Sequence, residues 1–159
     1  MIAVYPGTFD PITEGHLDIA KRASAIFQEV VIGIHDRPEK QLLFTVEERV
    51  QMVEDSIKGL SNVRAEAFSG LTIDYIRRIG GGVMVRGLRA ISDFERELAM
   101  ALMNKQLAPD IELVCLMTSS HYQFLSSSSI KEIAKLGGTV SGMVPDNVAH
   151  ALSKKYQGV

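Results

Sequence analysis

Tyr5-Pro6-Gly7-Thr8-Phe9-Asp10-Pro11-Ile12-Thr13-Glu14-Gly15-His16 decides how this chain folds. It joins a short apolar run, Ile2-Ala3-Val4-Tyr5, to a segment in which Leu17, Ala20, Ala23 and Phe27 recur at helical spacing. The stretch therefore reads as strand, glycine-bearing loop, helix. Amide N–H groups without intrahelical partners and the positive end of the helix dipole attract anions at such a junction. Gly7 and Gly15 allow the backbone close to a ligand, and His16, in the first helical turn, would face it. No Gly-Lys-Ser/Thr follows and the spacing is not Gly-x-Gly-x-x-Gly, so neither of the two commonest phosphate-binding loops fits. Thr13 also suits a plain helix N-cap, which needs no ligand.

Outward from this junction, β-branched runs alternate with amphipathic segments, the pattern of helices covering a parallel sheet. Glu29 to His35 is a second strand, and a polar loop from Asp36 to Gln41 leads to the capping box Thr45-x-x-Glu48, which opens a helix with Val46, Val50, Val53 and Ile57 inward. Val63 to Phe68 is a third strand, Leu71 to Ile79 a short helix, and Val83-Met84-Val85 a fourth strand after three glycines. A second capping box, Ser92-x-x-Glu95, predicts a helix to about Leu107 with Phe94, Leu98, Ala101 and Leu102 as its buried stripe. Ile111 to Met117 is a fifth strand, followed by a helix near Ile130 to Leu136 and a last one capped by Asp146. The prediction is one α/β domain, residues 1–159, with a five-stranded parallel sheet doubly wound by helices on both faces.

Composition narrows the function. With 17 Lys plus Arg against 19 Asp plus Glu, no Trp and no basic stripe, nucleic acid is not an expected partner. No apolar stretch approaches the roughly 18 residues of a membrane span, so a soluble, cytoplasmic protein is expected. The one cysteine, Cys115, excludes an intrachain disulfide and, within Leu113 to Met117, reads as a buried hydrophobe. None of His35, His121 or His150 has metal-ligand spacing, and no residue is assigned to a metal.

In an open α/β sheet ligands bind beyond the carboxyl ends of the strands, which gathers four loops at one edge. They contain Gly7 to His16, Lys40, Arg86-Gly87-Leu88-Arg89, and His121 to Ser129. Arg86 and Arg89 directly follow a strand, with Gly87 expected to permit a tight turn, and the guanidinium fork suits phosphate. The same two arginines could equally pair with Asp93 or Glu97. Lys40 alone is an ordinary loop lysine, and Ser126 to Ser129 would cap a helix whether or not they bind phosphate.

Together these pieces are far more specific. Thr13-x-Gly15-His16 resembles the (His/Thr)-x-Gly-His motif of the nucleotidyltransferase superfamily. With Phe44-Thr45-x-Glu47-Glu48-Arg49, Arg86-Gly-Leu-Arg-Ala90, Asp93-Phe94-Glu95, Met103-Asn104 and Ser126 to Ser128, the chain resembles the bacterial pantetheine-phosphate adenylyltransferase family along nearly its whole length. The resemblance implies a Rossmann-like fold and AMP transfer from ATP to 4′-phosphopantetheine, giving dephospho-coenzyme A and pyrophosphate. It assigns catalysis to His16 as transition-state stabiliser, with Lys40 and Arg89. ATP would meet Thr8, Phe9, His16, Gly87, Leu88, Arg89, Glu97 and the segment Tyr122, Gln123, Phe124, Leu125, Ser126, Ser127, Ser128. Phosphopantetheine would meet Thr8, Lys40, Thr72 and Arg86, with backbone contacts open at Thr72 and Gln123. The resemblance also implies magnesium accompanying ATP, inhibition by coenzyme A, and a homohexamer. Nicotinamide mononucleotide adenylyltransferases and cytidylyltransferases share the broad motif, but Lys40 and Arg86 to Arg89 match phosphopantetheine-binding positions. A nucleotide-sensing module without turnover is the other alternative, and retention of all these residues weighs against it.

Overall fold

A computed structural model describes residues 1–36 and 41–158. The elements are β1 (Ile2–Gly7), α1 (Glu14–Ile26), β2 (Glu29–His35), α2 (Val46–Ser56), β3 (Val63–Phe68), α3 (Thr72–Arg78), β4 (Val83–Leu88), α4 (Ile91–Leu107), β5 (Glu112–Met117), α5 (Ser127–Lys135) and α6 (Asp146–Gln157). A single turn of 3₁₀-helix at Ser120–Tyr122 precedes α5. The five strands form one all-parallel sheet in the order β3-β2-β1-β4-β5.

Strand alternation splits the core between the two faces. Ala3 and Tyr5, Val30, Ile32 and Ile34, and Val83 and Val85 face α1, α2, α5 and α6. Val4, Val31 and Met84 face the opposite way, against Ile73, Tyr75 and Ile76 of α3 and against Ala108 and Ile111. The chain enters its two halves from opposite sides of β1, so the strand order reverses between β1 and β4. A crevice at the carboxyl ends of those two strands is the geometric consequence.

Several local expectations are corrected. β4 continues through Leu88, so Arg86-Gly87-Leu88 is strand and not a turn. Alternation then points Arg86 toward α4 and Gly87 toward α1, where an added Cβ would sit 3.0 Å from Cγ1 of Ile19. Gly87 therefore permits close helix-on-sheet packing. At Gly7 an added Cβ would lie 2.9 Å from the Phe9 ring, so the space its missing side chain leaves is taken by Phe9 and not by a ligand. Phe9 itself has φ 49°, a left-handed conformation that few non-glycine residues adopt. At Gly15 a Cβ would make ordinary contacts, the nearest 3.5 Å from Tyr122, so no close approach requires that glycine.

Helix α4 begins at Ile91 with Ala90 as its cap, and Ser92 caps nothing. Asp93 instead reaches back to accept from the Arg89 amide at 3.1 Å. The predicted stripe of α4 does not enter the core: Phe94 is 51% exposed, Leu98 47% and Leu102 63%, and Glu97 is the buried residue of the helix. Neighbouring β5 is an edge strand, and Cys115, expected to be buried, is exposed on it. α5 starts earlier than predicted, at Ser127 with Ser126 as cap, and Pro145 rather than Asp146 caps α6. No helix among the described residues is long and apolar enough to cross a membrane.

Candidate active site

The sequence Thr13-Glu14-Gly15-His16 folds into a reciprocal cap. The Thr13 hydroxyl accepts from the His16 amide at 3.3 Å, and the His16 ring accepts at Nδ1 from the Thr13 amide at 3.0 Å. Histidine thus takes the place that Glu or Gln fills in a capping box. Because Nδ1 accepts from an amide, the proton of the neutral imidazole belongs on Nε2, and the ring is a defined donor on that side. Both readings of this motif hold at once: Thr13 is an N-cap, and the cap orients the histidine. The ring also lies edge-on to Phe9, with centroids 5.1 Å apart.

His16 borders a cavity of about 1020 Å³ at the crevice between β1 and β4. Of the predicted site residues the same cavity is lined by Thr8, Phe9, Thr72, Arg86, Gly87, Arg89, Glu97, Leu125, Ser126, Ser127 and Ser128. Three of the four loops are thereby brought together. Lys40 lies outside the described residues.

Four predicted residues do not line this cavity. Leu88 is buried at the end of β4. Tyr122 packs against the core and beside Gly15, and the Gln123 side chain donates to the Thr118 carbonyl at 3.3 Å. Phe124 is exposed.

Both arginines are paired as well as facing the cavity. Arg86 donates from Nε and Nη2 to the two carboxylate oxygens of Glu97 at 2.8 and 2.7 Å, and from Nη1 to the Pro6 carbonyl at 2.9 Å. Burial would lower the Arg86 pKa, but Glu97 outweighs it and holds the guanidinium above its ordinary value. Arg89 pairs with Asp93 at 3.3 Å and donates to the Leu125 carbonyl at 2.6 Å. At Asp93 burial pushes the carboxyl up, yet the Arg89 amide and charge prevail and hold it below the usual range. Within the serine run, Ser126 accepts from the Ser129 amide at 3.1 Å, while the Ser127 hydroxyl donates to the Pro11 carbonyl at 2.8 Å.

Three charged residues were given no role by the sequence reading, and two of them, Arg49 and Asp10, are buried. Arg49 is fully buried and donates to the carbonyls of Thr8 at 2.7 Å, His35 at 2.9 Å and Asp36 at 3.2 Å. Its signal was available: it sits three residues after Val46 and four before Val53, on the inward face of α2. Asp10 is 3% exposed and accepts from the amides of Leu43 and Phe44, each at 3.0 Å, and from Lys131 at 2.7 Å. Asp18 accepts from both the amide and the hydroxyl of Ser119, at 3.0 and 2.7 Å, fixing the loop after β5 to α1.

Among the described residues no cluster of His, Cys, Asp or Glu is arranged to hold a metal. The carboxylates at the cavity are engaged: Asp10 by Lys131, Glu97 by Arg86 and Asp93 by Arg89. The site therefore suits an anion held by N–H groups, hydroxyls and guanidinium groups, which could bring any cation with it.

The model of the cytidylyltransferase-like family matches residues 4–133. The chain is 53% identical over 158 residues to a phosphopantetheine adenylyltransferase of Thermomicrobium roseum, covering 98% of this chain and 95% of that one. It is 54% identical over 155 residues to one from Roseiflexus sp., covering 98% and 97%, and 52% identical over 154 residues to one from Clostridium tetani, covering 97% and 96%. In three dimensions it is similar, at TM-score 0.70 and 19% identity, to a Vibrio parahaemolyticus chain described as a putative nicotinate-nucleotide adenylyltransferase, covering 95% and 97%. At that identity the likeness concerns the Rossmann-like fold alone.

Proposed function

The chain belongs to the phosphopantetheine adenylyltransferases of the cytidylyltransferase-like family, and from that membership we propose that it transfers AMP from ATP to 4′-phosphopantetheine without a general base. A phosphate-monoester oxygen of the acceptor attacks the α-phosphorus, the bond from that phosphorus to the bridging oxygen breaks, and pyrophosphate leaves. The second pKa of a phosphate monoester is about 6, so the nucleophile is largely dianionic at neutral pH and needs no proton removed. The obstacle is repulsion between two polyanions and charge building on the α-phosphate and leaving group. Orientation and preorganised donors answer it.

In this reading His16 donates from Nε2 to the α-phosphate oxygen as charge develops. Arg89, Ser127 and Ser128 hold the pyrophosphate end, and Lys40 with Arg86 aligns the acceptor phosphate. Thr8 serves both substrates, and Thr72 borders the pantetheine arm. The observation that carries the reading is the Thr13-to-Nδ1 hydrogen bond, which defines Nε2 as the donor of the neutral imidazole at a cavity lined by two arginines and a serine-capped helix. Magnesium would enter with ATP as part of the substrate and would offset the charge of its phosphates.

We further propose a cytoplasmic homohexamer inhibited by coenzyme A, whose pantetheine phosphate would compete for the acceptor subsite. The exposed apolar face of α4 supports an assembly, since patches of this kind mark interaction surfaces. The test is magnesium-dependent pyrophosphate release from ATP with 4′-phosphopantetheine, nicotinamide mononucleotide or glycerol 3-phosphate, each repeated with CTP. Release with ATP and phosphopantetheine alone is expected. Release with another acceptor would overturn the substrate assignment, and silence with every pair would overturn turnover itself.

A further inference from the structure

Asp10 is the point at which three separate elements meet. It lies in the loop between β1 and α1, two residues after Thr8. Its Oδ1 accepts from the Phe44 amide, and its Oδ2 accepts from the Leu43 amide and from Lys131 Nζ. Leu43 and Phe44 belong to the segment that leads into α2, on the far side of Lys40 in sequence. Lys131 is on α5, four residues beyond Ser127, and both Lys131 and Asp10 line the cavity. Burial alone would push the carboxyl up, but Lys131 and the two amides outweigh it, so Asp10 stays ionised. The buried Arg49, whose positive charge also acts on Asp10, secures the same β1–α1 loop through Thr8 and the end of β2 through His35 and Asp36.

We infer that Asp10 is a positioning residue that ties α5, at the nucleotide side of the cavity, to the Leu43–Phe44 segment at the acceptor side, so that nucleotide binding orders the acceptor side before the acceptor arrives. The inference rests on the proposed placements of ATP against α5 and of the acceptor phosphate at Lys40, which in sequence directly precedes Gln41 of the cavity lining. The physical basis is shared ordering. One buried carboxylate restrains both elements, so a ligand that immobilises α5 also restricts the carboxylate holding Leu43 and Phe44. The acceptor then loses less conformational freedom on binding. The two elements have no other tie of this kind among the hydrogen bonds of the described residues.

The Leu43 and Phe44 amides themselves report on it, because their N–H groups are the donors. Hydrogen–deuterium exchange of the full chain is measured with and without saturating α,β-methylene-ATP and magnesium, for the unmodified protein, Asp10→Asn and Lys131→Gln. Saturation of each is checked by titration and folding by circular dichroism. In the unmodified protein the analogue should slow exchange at Leu43 and Phe44 by about fivefold or more, the low end of ordinary coupling between sites. In Lys131→Gln, which keeps both backbone bonds to Asp10, and in Asp10→Asn, that slowing should vanish. Slowing absent from the unmodified protein, or kept in Lys131→Gln, overturns the inference even if Asp10→Asn fails to fold. A merely structural carboxylate would raise exchange in the variants without altering the response to nucleotide. Turnover with 4′-phosphopantetheine is assayed in parallel: slowing without turnover sinks the proposed reaction and leaves the tie standing, whereas turnover without slowing sinks the tie alone.

Discussion

Arg86 and Glu97 face each other across β4 and α4 as a two-bond fork, Nε and Nη2 on the two carboxylate oxygens at 2.8 and 2.7 Å. The pair orients the guanidinium at the cavity without consuming Nη1, which donates to Pro6. Glu97→Ala should cost about 1–3 kcal/mol in stability, because it leaves half-buried donors without a partner. Arg86→Lys keeps the charge but loses the fork, and should raise the KM for phosphopantetheine with a smaller change in that for ATP. Chemical denaturation and steady-state kinetics check the two effects separately.

His16→Ala should lower kcat by about 100- to 1000-fold, the usual cost of removing one preorganised donor. It also removes half of a helix cap, so its stability should be compared with Thr13→Val, which removes the hydroxyl half and should cost about 0.5–2 kcal/mol. Thr13→Val keeps the backbone amide that sets the tautomer, so its kcat should fall far less. A nearly unchanged kcat in His16→Ala would refute the role.

Gly87→Ala should destabilise the fold by about 1–3 kcal/mol through overpacking against Ile19, whose Cγ1 would lie 3.0 Å from the new Cβ. Ile19→Ala, which removes that Cγ1, should cost less stability in the Gly87→Ala background than in the unmodified protein. Thermal melts of the single and double variants decide between this packing role and a turn, which Ile19 would not affect.

Asp18 has a carboxyl held below its ordinary range: burial raises it, and the Ser119 amide and hydroxyl with Arg22 more than reverse that. A folded-state value below the unfolded one gives stability that is present above the unfolded aspartate pKa of about 3.9 and disappears as pH falls through the folded value. The unmodified protein should therefore lose more thermal stability than Asp18→Asn between about pH 5 and pH 2. At neutral pH Asp18→Asn should raise the KM for ATP, because it loosens the loop at Ser119.

Phe94→Asp and Leu98→Asp place charges on the exposed face of α4. If that face joins subunits, both should reduce the mass measured by light scattering, while a core position would instead lower the melting temperature of an unchanged species. Retention of the parent mass in both variants would exclude this face from the assembly.

Much of this fold was legible because its signals are local. β2 and β3 fall at their predicted bounds, since unbroken or alternating apolar residues between turn residues leave little choice. The candidate site was legible where residues follow strands of an open sheet, as Thr8, His16, Arg89 and Ser126 to Ser128 do. The α4 stripe misled because helical periodicity reports only that a helix has an apolar face, not what covers it. Cys115 misled for the same reason: an apolar run does not say whether its strand is central or at the edge. Ser92 lost the cap to Ala90 because Asp93 could bond the Arg89 amide, a competition settled by where β4 stops.

By itself the sequence determined the alternation of strands and helices, the loop that carries His16, and the family, because each depends on residues close together in the chain or on their order along it. Tertiary structure alone decided which carboxylate holds Arg86 and that Ile19 takes the space beside Gly87. It also decided that Asp10 and Arg49 are interior anchors and not surface charges, and that half-buried Asp18 fixes the loop after β5. The physical reason is that a buried charge is satisfied by partners brought together from distant parts of the chain, and periodicity says where a side chain points but not what it meets there.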